Sequence, residues 1–164
     1  MSHFIIIRGP LGCGKSTISK LLATKLNAEH IAIDRVLDEH NLTEDKEEGY
    51  ISQKSFKKAN ELVMQKATAL LKEGTRVIFD GNFYWKSQID DLISRLDFPH
   101  FVFTLKAPLE VCIKRDSKRK PPHGIGAATV VHNKATEFDY GTLIDVTKPL
   151  QDCVNEIISY LPNP

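Results

Sequence analysis

Lys15 and Ser16 close the run Gly9-Pro10-Leu11-Gly12-Cys13-Gly14-Lys15-Ser16, and the spacing G-x-x-x-x-G-K-S/T is suited to gripping a chain of phosphates. Glycines let the main chain curl tightly, so that successive N–H groups point inward and form a nest for anionic oxygens at a helix N-terminus. The Lys15 ammonium then reaches the β- and γ-phosphates, the Ser16 hydroxyl is a ligand for Mg²⁺, and Thr17 supports the α-phosphate side. Cys13 reads as a small residue in a backbone-lined loop. Gly9 to Thr17 are therefore the candidate nucleotide-binding residues.

A second group of candidates stands where apolar runs end. Ile31-Ala32-Ile33-Asp34-Arg35 delivers a carboxylate that could take the proton of an acceptor hydroxyl and a guanidinium that could grip a negative group bidentately. Val77-Ile78-Phe79-Asp80 ends in an acid placed to act on Mg²⁺ through water or by holding Ser16. Asn82 and Gln88 follow as candidate acceptor contacts, with Tyr84 and Trp85 as apolar walls. Further on, Arg115 and Arg119 stand four apart in a basic stretch, a spacing that puts both on one helical face and aims them at one triphosphate. An arginine beside a transferring phosphoryl group neutralises the charge spreading over its oxygens.

These side chains need a scaffold, and its rhythm is visible. Short β-rich apolar runs at 4–8, 30–34, 77–80, 101–105 and 143–146 alternate with helix-patterned segments at 15–26, 55–73, 108–118 and 149–161. That alternation predicts a parallel sheet with helices on both faces, and ligands of such sheets bind at the carboxyl ends of the strands. Ile18, Leu21, Leu22 and Leu26 make one apolar stripe; Phe56, Ala59, Val63, Ala67, Leu70 and Leu71 make another, which Gly74 terminates. Residues 37–53 and 120–132 break the rhythm and read as irregular segments, the second a lid hinged by Pro121, Pro122, Gly124 and Gly126. Excluding water is the service a lid gives a phosphoryl transfer.

The 164 residues suit one domain, residues 1–164, with an acceptor-side insertion about 35–55 and a lid about 115–133. A net charge of +1 provides no global field for a polyanion. Asp34, Asp38, Glu39, Glu44, Asp45, Glu47 and Glu48, set against Arg35 and Lys46, would repel a nucleic acid strand and favour a small acceptor. Cys13, Cys112 and Cys153 are odd in number and form no CxxC, so neither a disulfide framework nor a zinc site is expected. With no apolar run near twenty residues, the chain is expected to be soluble and cytoplasmic, without a membrane partner, as a monomer or homodimer.

Together the loop Gly9–Thr17, Asp34, the pair Asp80-Gly81 and the arginines Arg115 and Arg119 resemble the P-loop kinases. These include nucleoside monophosphate kinases, shikimate and gluconate kinases, chloramphenicol phosphotransferase, polynucleotide kinase and adenylylsulfate kinase. The stretch 107–118 looks like the corresponding helix of adenylylsulfate kinases. Their Asp-Gly-Asp-Asn near Asp34 and their serine-proline loop are missing, however. Tyr84 stands where adenylate kinases carry an arginine, and no arginine follows Arg119. The resemblance implies an α/β P-loop NTPase fold, a three-layer α/β/α sandwich with a five-stranded parallel sheet and a small lid. It also implies ATP as donor, Mg²⁺ as cofactor, and a loop at 146–149 bordering the adenine.

The expected activity is transfer of the γ-phosphoryl group of ATP to a hydroxyl or phosphate of a small acceptor, with Lys15, Asp34, Arg115 and Arg119 as the catalytic set. Two alternatives stay open: a nucleotide-dependent switch or ATPase without an acceptor, and a kinase of nucleic acid 5′-hydroxyls. The guanine-specifying Asn-Lys-x-Asp is absent, against a GTPase switch, and the acidic segment counts against the nucleic acid reading.

Overall fold

The run Phe4-Ile5-Ile6-Ile7 is apolar at every position, and a strand apolar on both faces belongs in the middle of a sheet covered on both sides. In the computed structural model, which describes residues 2–163, it is β1 (Phe4–Arg8), with all four apolar residues fully buried. The chain continues through α1 (Lys15–Leu26), β2 (Glu29–Ala32), α2 (Ile33–Glu39), β3 (Lys46–Glu47), β4 (Tyr50–Ile51), α3 (Gln53–Lys72) and β5 (Val77–Gly81). It ends with α4 (Lys86–Arg95), β6 (His100–Lys106), α5 (Leu109–Ser117), α6 (Ile125–Ala135), β7 (Thr142–Asp145) and α7 (Leu150–Ser159).

Five strands form one parallel sheet in the order β2-β5-β1-β6-β7, and β3 pairs with β4 in a separate antiparallel hairpin. Side chains alternate across β1 as strand geometry requires. Phe4 and Ile6 enter one core with Phe79, Leu37 of α2, Phe56 and Ala59 of α3, and Ile89 and Leu92 of α4. Ile5 and Ile7 enter the other with Ile18 and Leu22 of α1 and Val154 and Ile157 of α7. Each such side chain contributes roughly 1.5–3 kcal/mol by leaving water, so β1 is the strand on which both layers depend. No helix among the described residues is long and apolar enough to cross a membrane.

Three segments differ from the sequence-based expectation. Strand β2 ends at Ala32, and Ile33 and Asp34 begin α2; an apolar Ile-Ala-Ile run does not itself distinguish strand from helix start. α4 was not foreseen, although Ile89, Leu92 and Ile93 carry the i, i+3, i+4 signature. α6 occupies much of the segment read as irregular. Its Gly126 and four β-branched residues are poor helix formers, and it is held instead by burial of Ala128, Lys134 and Ala135.

The largest fully buried polar side chain is Arg8, at the end of β1. Its Nε donates to Phe83 O at 3.2 Å, Nη1 to Thr104 Oγ1 at 3.1 Å and Nη2 to Ala135 O at 2.7 Å, while the guanidinium carbon lies 4.4 Å from the centre of the Phe138 ring. Burial lowers its pKa to about 10, opposed by the charge of Asp139, so it stays charged at neutral pH. The carbonyl end of α6 supplies compensating negative potential. Arg8→Met should therefore destabilise the fold by on the order of 3 kcal/mol, because it leaves buried acceptors unpaired. Denaturant unfolding checks this, and a loss under about 0.5 kcal/mol would contradict it.

Candidate active site

The loop between β1 and α1 takes a shape that only glycine permits at two points. Gly14, the N-cap of α1, has φ +89°. Gly12 has φ +79°, and a Cβ there would lie 2.2 Å from the Cys112 carbonyl oxygen of α5, well inside van der Waals contact. Lys15 is nearly buried, and its Nζ donates to Pro10 O at 2.8 Å, which holds the ammonium across the mouth of its own loop. Ser16 and Thr17 are exposed on the first turn of α1. Cys13 is wholly buried and burial raises its thiol pKa, which suits a packing residue better than a reactive thiol.

Strands β1, β2 and β5 end at a common edge: Asp80 is in register with Ile7 on one side and Ala32 on the other. Above that edge lies a cleft of about 750 Å³ whose walls include Gly12, Gly14, Lys15, Ser16, Thr17, Asp34, Arg35, Asp80, Arg115 and Arg119. Residues far apart in the chain thus converge on one space, cations from the loop and α5 facing carboxylates from α2 and β5. The cleft adjoins a recess of about 250 Å³ between Gly14, Thr17, Arg115, Val146, Lys148 and Leu150. A separate groove of about 530 Å³ behind the loop is walled by Pro10, Leu105 and Pro108. Its one lysine, Lys106, is engaged by Asp139 at 2.8 Å, so it offers little to a polyphosphate.

Asp34 lies in the first turn of α2, and its Oδ1 is buried without a hydrogen-bond partner. Burial raises its pKa to about 6; the Lys15 charge pulls it down, Asp80 pushes it up, and the Asn82 amide pulls it down. A carboxyl group so tuned is ionised at neutral pH yet basic enough to take a proton. A ¹³C titration of the Asp34 carboxyl in the free protein should give a midpoint near 6. Lys15→Ala should raise that midpoint and Asp80→Asn should lower it, following the signs of the two charges. A midpoint at the ordinary aspartate value of about 3.9 would refute the burial argument.

Asp80 is itself held, because His30 Nε2 lies 2.6 Å from its Oδ2. His30 was not foreseen, and a contact between strands 50 residues apart leaves no local signal. Among the described residues no three His, Cys, Asp or Glu could hold a metal alone. The cleft nevertheless offers the Ser16 hydroxyl and the Asp34 and Asp80 carboxylates, a hard oxygen set matched to Mg²⁺ arriving with phosphate oxygens and water.

α5 ends at Ser117, so Arg119 does not extend the helix as expected; its amide donates to Asp116 O at 3.0 Å in the closing turn, and both arginines still line the cleft. Arg115 Nη2 donates to Val146 O at 2.6 Å, tying α5 to the loop after β7. Asp116 accepts from the His123 side chain and from the amides of His123 and Gly124. Burial alone would raise its pKa, but those donors outweigh it and leave the carboxyl below its usual range.

The remaining candidates lie on the rim of the cleft or outside it. Arg35 is on the rim, its side chain 78% exposed and 3.5 Å from Glu39. Gln88 is completely buried outside the cleft, both amide atoms without partners, and Asn82 Oδ1 is likewise buried and unpaired. Tyr84 and Trp85 are core residues that pin the hairpin: Ile51 N donates to the Tyr84 hydroxyl at 2.9 Å, and Trp85 Nε1 donates to Ile51 O at 2.7 Å. They are not walls of the cleft. Their alternation with Phe83 inside an aromatic run conceals which rings face a ligand and which face the core.

A parallel sheet in this order with a glycine loop, lysine and hydroxyl before the helix on its carboxyl edge defines a P-loop nucleotide-binding fold of the kinase-like kind. The chain belongs to the AAA domain family, whose model matches residues 4–137. No curated protein sequence matches it significantly. It is similar in structure to a sugar kinase from Janibacter sp. HTCC2649, with a TM-score of 0.80 at 17% identity over 98% of this chain and 94% of that one. It is also similar to a gluconokinase from Sinorhizobium meliloti 1021, with a TM-score of 0.74 at 16% identity over 96% and 90%. The Mycobacterium tuberculosis APS kinase, solved with AMPPNP and APS, aligns at 0.68 and 17% identity over 96% of both chains. Identities this low speak to the fold.

Proposed function

We propose that the protein is an ATP- and Mg²⁺-dependent phosphotransferase that moves the γ-phosphoryl group to a hydroxyl of a small acceptor. The observation that carries this is the single cleft shared by Lys15, Ser16, Asp34, Asp80, Arg115 and Arg119. The triphosphate lies along the loop amides with Lys15 against its β- and γ-phosphates, and the base occupies the recess beside Val146 and Lys148. Mg²⁺, bound with the nucleotide near Ser16 and Asp80, supplies charge neutralisation.

Asp34 takes the proton of the acceptor hydroxyl as that oxygen bonds to the γ-phosphorus and the bond from phosphorus to the bridging β–γ oxygen breaks, leaving ADP. Lys15, Arg115 and Arg119 stabilise the charge on the transferring group. The acceptor side favours a hydroxyl over a phosphate, because Asp34, Asp38 and Asp80 face it while Arg35 is turned to solvent beside Glu39. The orphan Asp34 Oδ1 is an acceptor that a polyhydroxy compound can satisfy. Sugar kinase and gluconokinase being names of similar structures, sugars and sugar acids head the test.

The test is a panel of sugars, sugar acids, other metabolites and oligonucleotides scored for ADP release with ATP, with and without Mg²⁺. Acceptor-stimulated release that requires Mg²⁺ supports the proposal. Nucleotide binding with no stimulation by any compound would favour a switch instead, and stimulation by oligonucleotide ends alone would move the acceptor to nucleic acid.

A further inference from the structure

Beside the two arginines of α5 and its exit, the cleft is lined by a histidine. We propose that His123 is a fourth phosphate-binding side chain beside Lys15, Arg115 and Arg119, held by Asp116 so that its Nε2 meets the γ-phosphate of a bound nucleoside triphosphate. This deepens the phosphotransferase reading and rests on it.

The geometry begins at Asp116. Its side chain is only 2% exposed, and an ionised carboxylate so deeply placed is costly unless donors surround it. It receives three: His123 N at 3.2 Å, His123 Nδ1 at 2.8 Å and Gly124 N at 2.9 Å. The carboxylate thus closes a ring of chain from the last turn of α5 to the N-cap of α6, and Pro121 and Pro122 restrict the path between.

The hydrogen bond also decides which nitrogen is free. Nδ1 must carry a proton to donate to Asp116, so Nε2 is the atom left for a ligand. His123 lines the same cleft as Lys15, Arg115 and Arg119, and its side chain keeps 39% exposure. With both ring nitrogens carrying protons, Nδ1–H donates to Asp116 and Nε2–H to a phosphate oxygen. Arg115 is engaged by Val146 O at 2.6 Å, which leaves the γ end more dependent on other donors. His30, by contrast, is turned to Asp80 at 2.6 Å.

Calorimetry with Mg²⁺–AMPPNP and Mg²⁺–ADP tests this on the full chain. His123→Ala should weaken AMPPNP roughly tenfold while changing ADP by less than about twofold, the expected loss of one charge-assisted bond to the terminal phosphate. Asp116→Asn should lose most of the same discrimination. His123→Gln, whose amide nitrogen falls near the place of Nε2, should recover part of it. In wild type, AMPPNP but not ADP should shift the ¹⁵N resonance of His123 Nε2, which a purely structural histidine would not do. Unchanged AMPPNP affinity in His123→Ala, or equal losses for both nucleotides, overturns the assignment while leaving the phosphotransferase reading standing. Failure of wild type to bind either nucleotide overturns both.

Discussion

Lys15→Ala is expected to lower phosphoryl transfer by on the order of 10³-fold or more, the scale for removing a cation from the transferring group. The ammonium bridges its own loop to Pro10, so its side chain is already in the position from which it would turn onto phosphate oxygens, with little reorganisation to offset. The loss should be larger in kcat/KM for ATP than in stability, since the residue contributes no core packing. Steady-state kinetics beside a thermal melt check this. Transfer within tenfold of wild type would remove Lys15 from the chemistry and with it the phosphate-loop mechanism.

Asp34→Asn carries an effect of two opposite signs. Transfer should fall by roughly 10²–10⁴-fold, because an amide accepts no proton, while ATP affinity changes little. Stability should rise at neutral pH. The folded-state pKa is raised to about 6 from 3.8, so the folded protein holds a proton that the unfolded chain has already released. Stability is therefore greatest below the unfolded value and is lost as pH climbs through about 6. The amide removes that penalty, worth as much as roughly 3 kcal/mol above pH 6. A variant that is dead and more stable marks a residue kept for chemistry at the expense of the fold. Loss of activity together with lower stability would instead assign Asp34 to structure.

The elements most legible in the sequence are those whose physics is local. The loop Gly9–Ser16 announces itself because glycine, lysine and hydroxyl must fall at fixed offsets, and β1 because a strand buried on both faces has no polar position until Arg8. Helix α3 is visible in its stripe, and its N-cap Ser52, which accepts from Ser55 N at 3.0 Å, lies just ahead of it. What escaped depends on distant partners. The contact between His30 and Asp80 joins two strands, the Arg8 cluster joins β1, β6, α6 and the loop after β5, and α6 is stabilised by what it packs against more than by its own residues. Gln88 and Trp85 are of types that suit ligands, yet the same types serve a core when α4 and the hairpin close over them.

The guanidinium at the end of β1 has a mechanical consequence. It sits one residue before Gly9 and grips the last carbonyl of α6, so the root of that helix and the root of the phosphate loop form one rigid joint. Were an outer cap to close over the cleft, the Ala135 end of α6 would be its fixed point, and the Gly124 end, tied to Asp116, would travel with α5.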